Sequence, residues 1–352
     1  MNRKGVCYDV GCVMGMNWRP DFDPKTVYRE LEIIKNDLHC NAVRICGLDI
    51  NRLMIATEDA LNQELEVWLS PLMWDKSPEK TLQYITKAAT SAEKLQKQWP
   101  EKLVFSLGSE LTLFMNGIVE GRNFVARITN KNLRSHIITG DHNKPLNAFL
   151  SDANSAVRKV FHGKVAYASL VWEKVDWSLF DFVGVDHYRA ERIEDKYVEM
   201  LKPSFSYGKP VVITEFGYGT CKKGVLSEGF LGSAGLGADI IDHRSQFLHQ
   251  LPMLGRLVRP HLKGDYVRDE GWQAAKLVET LSILDGASVD GAFISQFLSQ
   301  ITPYSENPRF DLDMASSSLV KYFDDGKHGA IYPDMTWEPK KSFRVVADYF
   351  AK

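Results

Sequence analysis

The stretch Lys209–Thr220, with the sequence KPVVITEFGYGT, decides the fold of this chain. Its four β-forming residues, Val211 to Thr214, run directly into Glu215, and the glycine-containing segment that follows turns the backbone away. A continuous apolar run with turn residues at both ends predicts a strand that is buried on both faces. Because a lone charge is costly to bury, we expect Glu215 to face a partner charge, a metal ion or a substrate.

Strand-like runs of the same kind alternate with helix-like segments along the whole chain. The runs that predict strands are 4–11, 41–47, 66–74, 102–110, 165–172, 181–188, 211–215 and 291–300. Strands that alternate with helices form parallel sheets, and eight such units over 352 residues are typical of one closed barrel. We therefore predict an α/β fold, a (β/α)8 TIM barrel, with residues 1–352 as a single domain.

The segments between these runs carry helix signals of different lengths. Three pairs in which a capping or acidic residue precedes proline predict helix starts: Asp23-Pro24, Ser77-Pro78 and Glu338-Pro339. Long insertions follow the fourth, seventh and eighth predicted strands, at about 111–141, 218–268 and 301–336. In a barrel such insertions elaborate the C-terminal face, where enzymes of this fold keep their active sites.

The composition excludes several classes of function. The formal net charge is -2 and no block of lysine and arginine stands out, so we expect no nucleic-acid partner. No apolar run has membrane-spanning length, and the first predicted strand begins almost at once, so we expect no membrane contact and no signal peptide. The five cysteines form no CxxC pair, which predicts free thiols and a cytoplasmic location. We expect no metal ion and no cofactor, and the sequence does not determine the oligomeric state.

A second glutamate repeats the arrangement of Glu215. Glu110 ends the apolar run LVFSLGSE of the fourth predicted strand, as Glu215 ends the run of the seventh. Two carboxylates over one barrel opening suit the cleavage of a glycosidic bond, in which one protonates the leaving oxygen and the other attacks the anomeric carbon or activates water. The alternative is that each glutamate pairs with a nearby lysine or arginine at the rim of the barrel.

These motifs resemble those of the clan A retaining glycoside hydrolases. The sequence LGSE around Glu110 is similar to the acid/base motif of that clan, and ITEFG around Glu215 is similar to its nucleophile motif. Arg44 matches the arginine that keeps the nucleophile ionised, and His187 and Tyr188 match residues at the end of strand six. The resemblance implies a (β/α)8 barrel that cleaves β-linked glycosides with retention, in which Tyr188 hydrogen-bonds to the nucleophile.

Two positions depart from the pattern of the clan. Ser109 stands where the clan usually has an asparagine that binds the sugar 2-hydroxyl group. This departure predicts weak activity on plain sugars or a substrate altered at C2, such as an amino, acylamino or deoxy sugar. The eighth strand of the clan often ends in a tryptophan, whereas this chain offers Gln296 and Phe297.

Other residues at strand ends are candidates for binding a sugar. Asp9, Asp186 and Gln296 either bind sugar hydroxyl groups or support neighbouring residues. The aromatic residues that could stack on a sugar face are Trp18, Trp74, Trp172 and Tyr304. The acidic pair Asp311 and Asp313 is predicted to stabilise a loop turn rather than to bind a metal ion.

The sequence therefore predicts a glycosidase that cleaves a β-linked glycoside or a small glycoconjugate. Glu110 is the predicted acid/base and Glu215 the predicted nucleophile. One alternative is a barrel that has lost catalysis and binds a glycan or a protein partner. Another is a metal-dependent isomerase or lyase that gathers Glu110, Asp186, His187 and Glu215 around a divalent ion.

Overall fold

The computed structural model describes residues 1–11, 19, 22–221, 240–242, 244–245, 249 and 257–352. These residues form two compact units. The first, here called the barrel unit, comprises Met1–His187, Glu199–Thr214 and Ser288–Phe293. The second, here called the loop unit, comprises the described parts of Tyr188–Val198, Glu215–Ala287 and Ile294–Lys352.

Eight strands close into a barrel in the order of the sequence. Their bounds are β1 Arg3–Asp9, β2 Ala42–Gly47, β3 Glu66–Pro71, β4 Leu103–Ser109, β5 Lys164–Leu170, β6 Val183–Asp186, β7 Val211–Phe216 and β8 Gly291–Ile294. The ladders from β1 to β6 are parallel, and one register pair in β1 and β2 is Val6 with Val43. The closed order confirms the predicted (β/α)8 barrel.

One buried layer of side chains fills part of the barrel. The strands, or the residues directly beside them, contribute Cys7, Ala42, Trp68, Val104, Ala166, Phe182, Val212 and Phe293. The Trp68 ring packs 4.9 Å from that of Phe182 and 5.4 Å from that of Phe293, measured between ring centroids. Gly5 leaves room for this layer, since a Cβ atom there would lie 2.4 Å from the Phe293 ring. The apolar runs of the sequence thus become a solid core rather than a pore.

Helices follow the strands, as the alternation predicts. The longer ones are α1 Pro24–Asn36, α2 Ile50–Asn62, α3 Pro78–Gln98, α7 Asn143–Val157, α8 Tyr197–Phe205, α9 Glu270–Gly286 and α10 Lys341–Phe350. Asp23 caps α1 by accepting hydrogen bonds from the backbone N–H groups of Lys25 and Thr26. Ser77 caps α3 in the same way, through the N–H of Lys80. Two of the three predicted Xaa-Pro helix starts are therefore confirmed.

The three predicted insertions are the long connections of the fold. Three short helices separate β4 from α7, namely α4 Leu111–Phe114, α5 Phe124–Ile128 and α6 Leu133–Thr139. The connection between β7 and α9 is described only in part. The connection after β8 contains a two-stranded antiparallel sheet of β9 Val320–Tyr322 and β10 Trp337–Pro339.

Several predicted boundaries are wrong. The last helix begins at Lys341 and not at Glu338, because residues 337–339 pair with β9 as a strand. Proline is tolerated at the end of such a short strand because it need not donate a ladder hydrogen bond there. β8 ends at Ile294 and not at Gln300, and β5 ends at Leu170 and not at Trp172.

The loop unit contains a cluster of buried charges, here called the Asp313 cluster. Asp313 accepts hydrogen bonds from Lys340 Nζ at 2.8 Å and from Arg268 Nη2 at 2.7 Å. Arg268 also binds Asp311 at 3.0 Å and Glu270 at 2.9 Å. The predicted loop turn at Asp311 and Asp313 is thus an ion-pair centre, which joins three segments that are distant in sequence. Burial lowers the pKa of Lys340 and raises that of Asp311 to about 6, while the opposite charges act against both shifts.

Lys340→Met tests the Asp313 cluster. Lys340 is fully buried, so its removal leaves part of the negative charge of Asp313 and Asp311 without compensation. Removal of one partner of a buried ion pair typically costs 3–5 kcal/mol, and we expect about 3 kcal/mol here because Arg268 remains. Chemical denaturation measures the free energy of unfolding. Lys341→Met, at an exposed neighbouring position, is the control, and equal stability of the two variants would contradict the importance of the cluster.

Candidate active site

Glu110 lies in a strained turn directly after β4. Its backbone is left-handed, with φ 48°, which is uncommon for a residue with a side chain and is often found at functional sites. The N–H of Glu110 donates to the carbonyl of Ala168 in β5 at 2.8 Å, and its own carbonyl accepts the N–H of Leu113 at 2.8 Å. The side chain is buried. The turn therefore ends β4 sharply and begins α4.

Sequence reasoning missed a buried carboxylate next to this turn. Glu173 accepts hydrogen bonds from the N–H of Thr112 at 3.2 Å, the N–H of Leu170 at 3.0 Å and the hydroxyl group of Tyr167 at 3.0 Å. Burial raises the pKa of Glu173 to about 7, against the effect of these hydrogen bonds. The only signal in the sequence was an acidic residue directly after the apolar run 165–172.

Asp186, at the end of β6, joins two strands through hydroxyl groups. Its Oδ2 atom accepts a hydrogen bond from Ser109 at 2.9 Å, and its Oδ1 atom accepts one from Thr214 at 2.6 Å. Ser109 and Thr214 are the residues that precede Glu110 and Glu215. Because both oxygens of Asp186 bind protein groups, this geometry favours the supporting role among the two that the sequence left open.

Arg44 lies in β2 and is buried. Its guanidinium group donates to the carbonyl of Thr214 at 3.3 Å and to the Ser70 hydroxyl group at 3.2 Å. A positive charge is thereby placed against the β7 residue that precedes Glu215. His187 follows β6 and is also buried.

In the loop unit, Tyr188 and Glu215 are hydrogen-bonded. The Tyr188 hydroxyl group donates to Glu215 Oε2 at 2.8 Å. Tyr188 is buried, whereas Glu215 is partly exposed. A phenol that donates to one carboxylate oxygen restricts the rotation of the carboxylate group.

The remaining candidates occupy different environments. Gln296 is partly exposed and lies beyond the end of β8. Trp172 is partly exposed and contacts His142 edge-on, with ring centroids 4.9 Å apart. The Trp74 ring instead stacks on the Phe114 ring, with centroids 3.7 Å apart, and so packs against protein.

The structure bears on several other features that the sequence raised, namely single residues, membrane helices and metal-binding groups. Trp18 and Cys12 lie outside the described residues, while the described cysteines Cys7, Cys40, Cys46 and Cys221 are free thiols. No helix among the described residues is long and apolar enough to cross a membrane. Within the same part of the chain, no group of three or more His, Cys, Asp or Glu side chains is placed to hold a metal ion.

Comparison with known proteins gives matches in structure only. No family model and no curated protein matches the sequence. A GH113 β-1,4-mannanase matches with a TM-score of 0.61 at 12% identity, over 100% of this chain and 99% of the other. The GH113 β-mannanase from Alicyclobacillus acidocaldarius matches with a TM-score of 0.56 at 14% identity, over 99% and 97% of the two chains. β-Glucuronidase 2 from Bacteroides uniformis matches at 0.57 and 12% identity, over 100% of this chain but 35% of its own.

At these identities the likeness concerns the fold alone. Several glycoside hydrolases share with this chain the closed barrel of eight parallel strands. The resemblance in architecture that the motifs predicted is confirmed: this chain has the (β/α)8 barrel fold found in clan A glycoside hydrolases.

Proposed function

We propose that this chain is a retaining glycoside hydrolase that cleaves β-linked glycosides or small glycoconjugates. The observation that carries the proposal is the placement of the two glutamates: Glu110 directly follows β4, and Glu215 lies near the end of β7, in one closed barrel. A carboxylate pair that works by retention requires its carboxyl groups to lie about 5 Å apart.

In the proposed first step, a carboxylate oxygen of Glu215 attacks the anomeric carbon of the sugar. The glycosidic bond breaks, and Glu110 donates its proton to the leaving oxygen. In the second step, Glu110 takes a proton from a water molecule, whose oxygen bonds to the anomeric carbon and releases Glu215. The sugar leaves with its original configuration, and both glutamates regain their starting protonation states.

The contacts of the neighbouring residues support these roles. Tyr188 holds one oxygen of Glu215 by its hydrogen bond of 2.8 Å, which fixes the orientation of the carboxylate for the attack. Arg44 donates to the carbonyl of Thr214 and so holds the backbone of the residue that precedes Glu215. We further propose that the sugar contacts come from Trp172, His187 and Gln296, while Asp186 supports the residues that precede the two glutamates.

The fold neighbours support the class of substrate. Their names describe a β-1,4-mannanase and β-glucuronidases, enzymes that act on β-linked sugars. We propose a β-linkage because these names share it. The neighbours have little of the sequence of this chain, so we take neither the sugar nor the aglycone from them.

Ser109 supports a substrate that is altered at C2. Its hydroxyl group donates to Asp186 at 2.9 Å, and the side chain is buried. A group used in this way is not directed to a sugar 2-hydroxyl. An enzyme without that contact loses less when the hydroxyl is replaced, as in an amino, acylamino or deoxy sugar.

Glu215→Gln and Glu110→Gln test the two roles. We expect Glu215→Gln to lower kcat by about 1,000-fold or more on every substrate, since no nucleophile remains. Glu110→Gln should lower it by about 100- to 10,000-fold on glycosides with poor leaving groups, and less in the first step with activated aryl groups. Initial rates with both kinds of leaving group measure this. Glu199→Gln, on the exposed face of α8, is the control, and substantial residual activity of Glu215→Gln would exclude the nucleophile role.

The stereochemical course tests retention directly. Proton NMR of the first product should show the same anomeric configuration as the substrate, because two displacements restore it. Azide should restore turnover of activated glycosides to Glu215→Ala and give a product of inverted configuration. An inverted product from the unchanged enzyme, or no rescue by azide, would contradict the assignment of Glu215.

A panel of aryl β-glycosides tests the substrate class. We expect the 2-amino, 2-acylamino or 2-deoxy sugars to give a higher kcat/KM than the plain glucoside or mannoside. A wide preference for plain sugars would contradict the role given to Ser109. Binding without turnover over the whole panel would instead identify a barrel that has lost catalysis, and loss of activity with a chelator would identify a metal-dependent enzyme.

A further inference from the structure

The turn that follows Glu110 is held from the side of β5. The N–H group of Leu111 donates to the Tyr167 hydroxyl oxygen at 2.9 Å. The next N–H, of Thr112, donates to Glu173 Oε1 at 3.2 Å. These are the first two N–H groups of α4, and a helix leaves such groups without partners in its own backbone. Two side chains from a distant part of the sequence therefore satisfy them.

Glu173 and Tyr167 form one unit. The Tyr167 hydroxyl group accepts the N–H of Leu111 and donates to Glu173 Oε2 at 3.0 Å. Tyr167 therefore links Leu111 to the carboxylate. Glu173 Oε2 also accepts the N–H of Leu170 at 3.0 Å, which holds the loop after β5. Glu173 thus accepts three hydrogen bonds and connects two loops at the C-terminal end of the barrel.

This unit lies beside the Glu110 turn, through its hydrogen bonds with Leu111 and Thr112. The negative charge of Glu110 is among the causes that raise the pKa of Tyr167, after burial and the charge of Glu173. Glu110 also needs outside support, because its left-handed φ of 48° is unfavourable for a residue with a side chain. Such a conformation persists only where neighbouring contacts maintain it.

We propose that Glu173 and Tyr167 are positioning residues, which hold the Glu110 turn so that its carboxyl group stays in place for proton transfer. This inference rests on the proposed function of Glu110 as acid/base. The ionised carboxylate of Glu173 suits the task because it can only accept hydrogen bonds, and all three partners are donors.

Glu173→Gln replaces one acceptor oxygen by a donor of the same size. In either orientation of the amide, its NH2 group faces an N–H or O–H donor of the turn, so at least one hydrogen bond is lost. The amide resembles the protonated form of Glu173, whose pKa is raised by burial to about 7. The titratable group that hydrogen-bonds to Glu173 is Tyr167, which stays neutral because its own pKa is raised.

The kinetic test compares the chain with Glu173→Gln and with Tyr167→Phe, a smaller change. We expect kcat to fall about 10- to 100-fold with KM changed less than about 3-fold, because a misplaced acid/base affects the transition state more than binding. The ratio of wild-type kcat to that of Glu173→Gln should rise as the pH rises through about 7. Below that pH the Glu173 carboxyl group of the wild type is protonated, and it then resembles the amide of the variant.

Tyr8→Phe is the matched control. Tyr8 of β1 also donates a buried hydrogen bond to a glutamate, Glu30 of α1, outside the Glu110 turn. Hydrogen–deuterium exchange of peptides that cover residues 110–115 gives a second measurement that needs no activity. We expect faster exchange in Glu173→Gln and Tyr167→Phe, and no change in Tyr8→Phe.

The combined outcomes separate this inference from the proposed function. An active wild type with unchanged kcat and unchanged exchange in both variants would overturn the positioning role and leave the function of Glu110 intact. A pH-independent loss of kcat in Glu173→Gln equal to that in Tyr8→Phe would also overturn it, as a general effect of lost stability. A wild type without turnover on any glycoside would overturn the proposed function and the catalytic role of the turn together, whatever the exchange shows.

Discussion

The buried carboxylate of Asp186 connects β4 and β7 of the barrel, and the candidate site depends on it. Its two oxygens accept hydrogen bonds from Ser109 and Thr214, each of which directly precedes one of the two glutamates. A buried carboxylate that lost one of these partners would bear a large desolvation cost, so the arrangement resists change. The residue before each glutamate is therefore held at a defined position, and with it the backbone from which each glutamate extends.

Two buried carboxylates, Glu173 of the barrel unit and Asp313 of the loop unit, are stabilised in different ways. In the barrel unit, Glu173 is surrounded by neutral donors, and burial dominates, so that its pKa is raised to about 7. In the loop unit, Asp313 binds the charged groups of Lys340 and Arg268. With neutral donors around it, Glu173 can change its charge near neutral pH. The ion pairs of Asp313 instead join segments that are distant in sequence. The first arrangement lies beside the candidate acid/base, and the second stabilises the long connections.

The sequence predicted local features well and non-local ones poorly. The starts of α1 and α3 were predicted because Asp23 and Ser77 act on N–H groups only a few residues away. The Glu338-Pro339 pair has the same local pattern, yet it lies in a strand, because Val320 and its neighbours offer a pairing that a local pattern cannot reveal. The ion pairs of Asp313 were interpreted as a turn for the same reason, since its partners lie 45 and 27 residues away in the chain.

The sequence by itself determined the order of strands and helices and the placement of Glu110 and Glu215 at strand ends. Periodicity and turn residues act over a few positions, and they suffice for both. Only the tertiary structure decided what surrounds these glutamates. The Ser109–Asp186 hydrogen bond spans 77 residues and the Thr112–Glu173 hydrogen bond spans 61, and such contacts exist only after the barrel closes. Burial then determines which carboxylates keep their charge, because the cost of desolvation depends on the surroundings and not on the residue type.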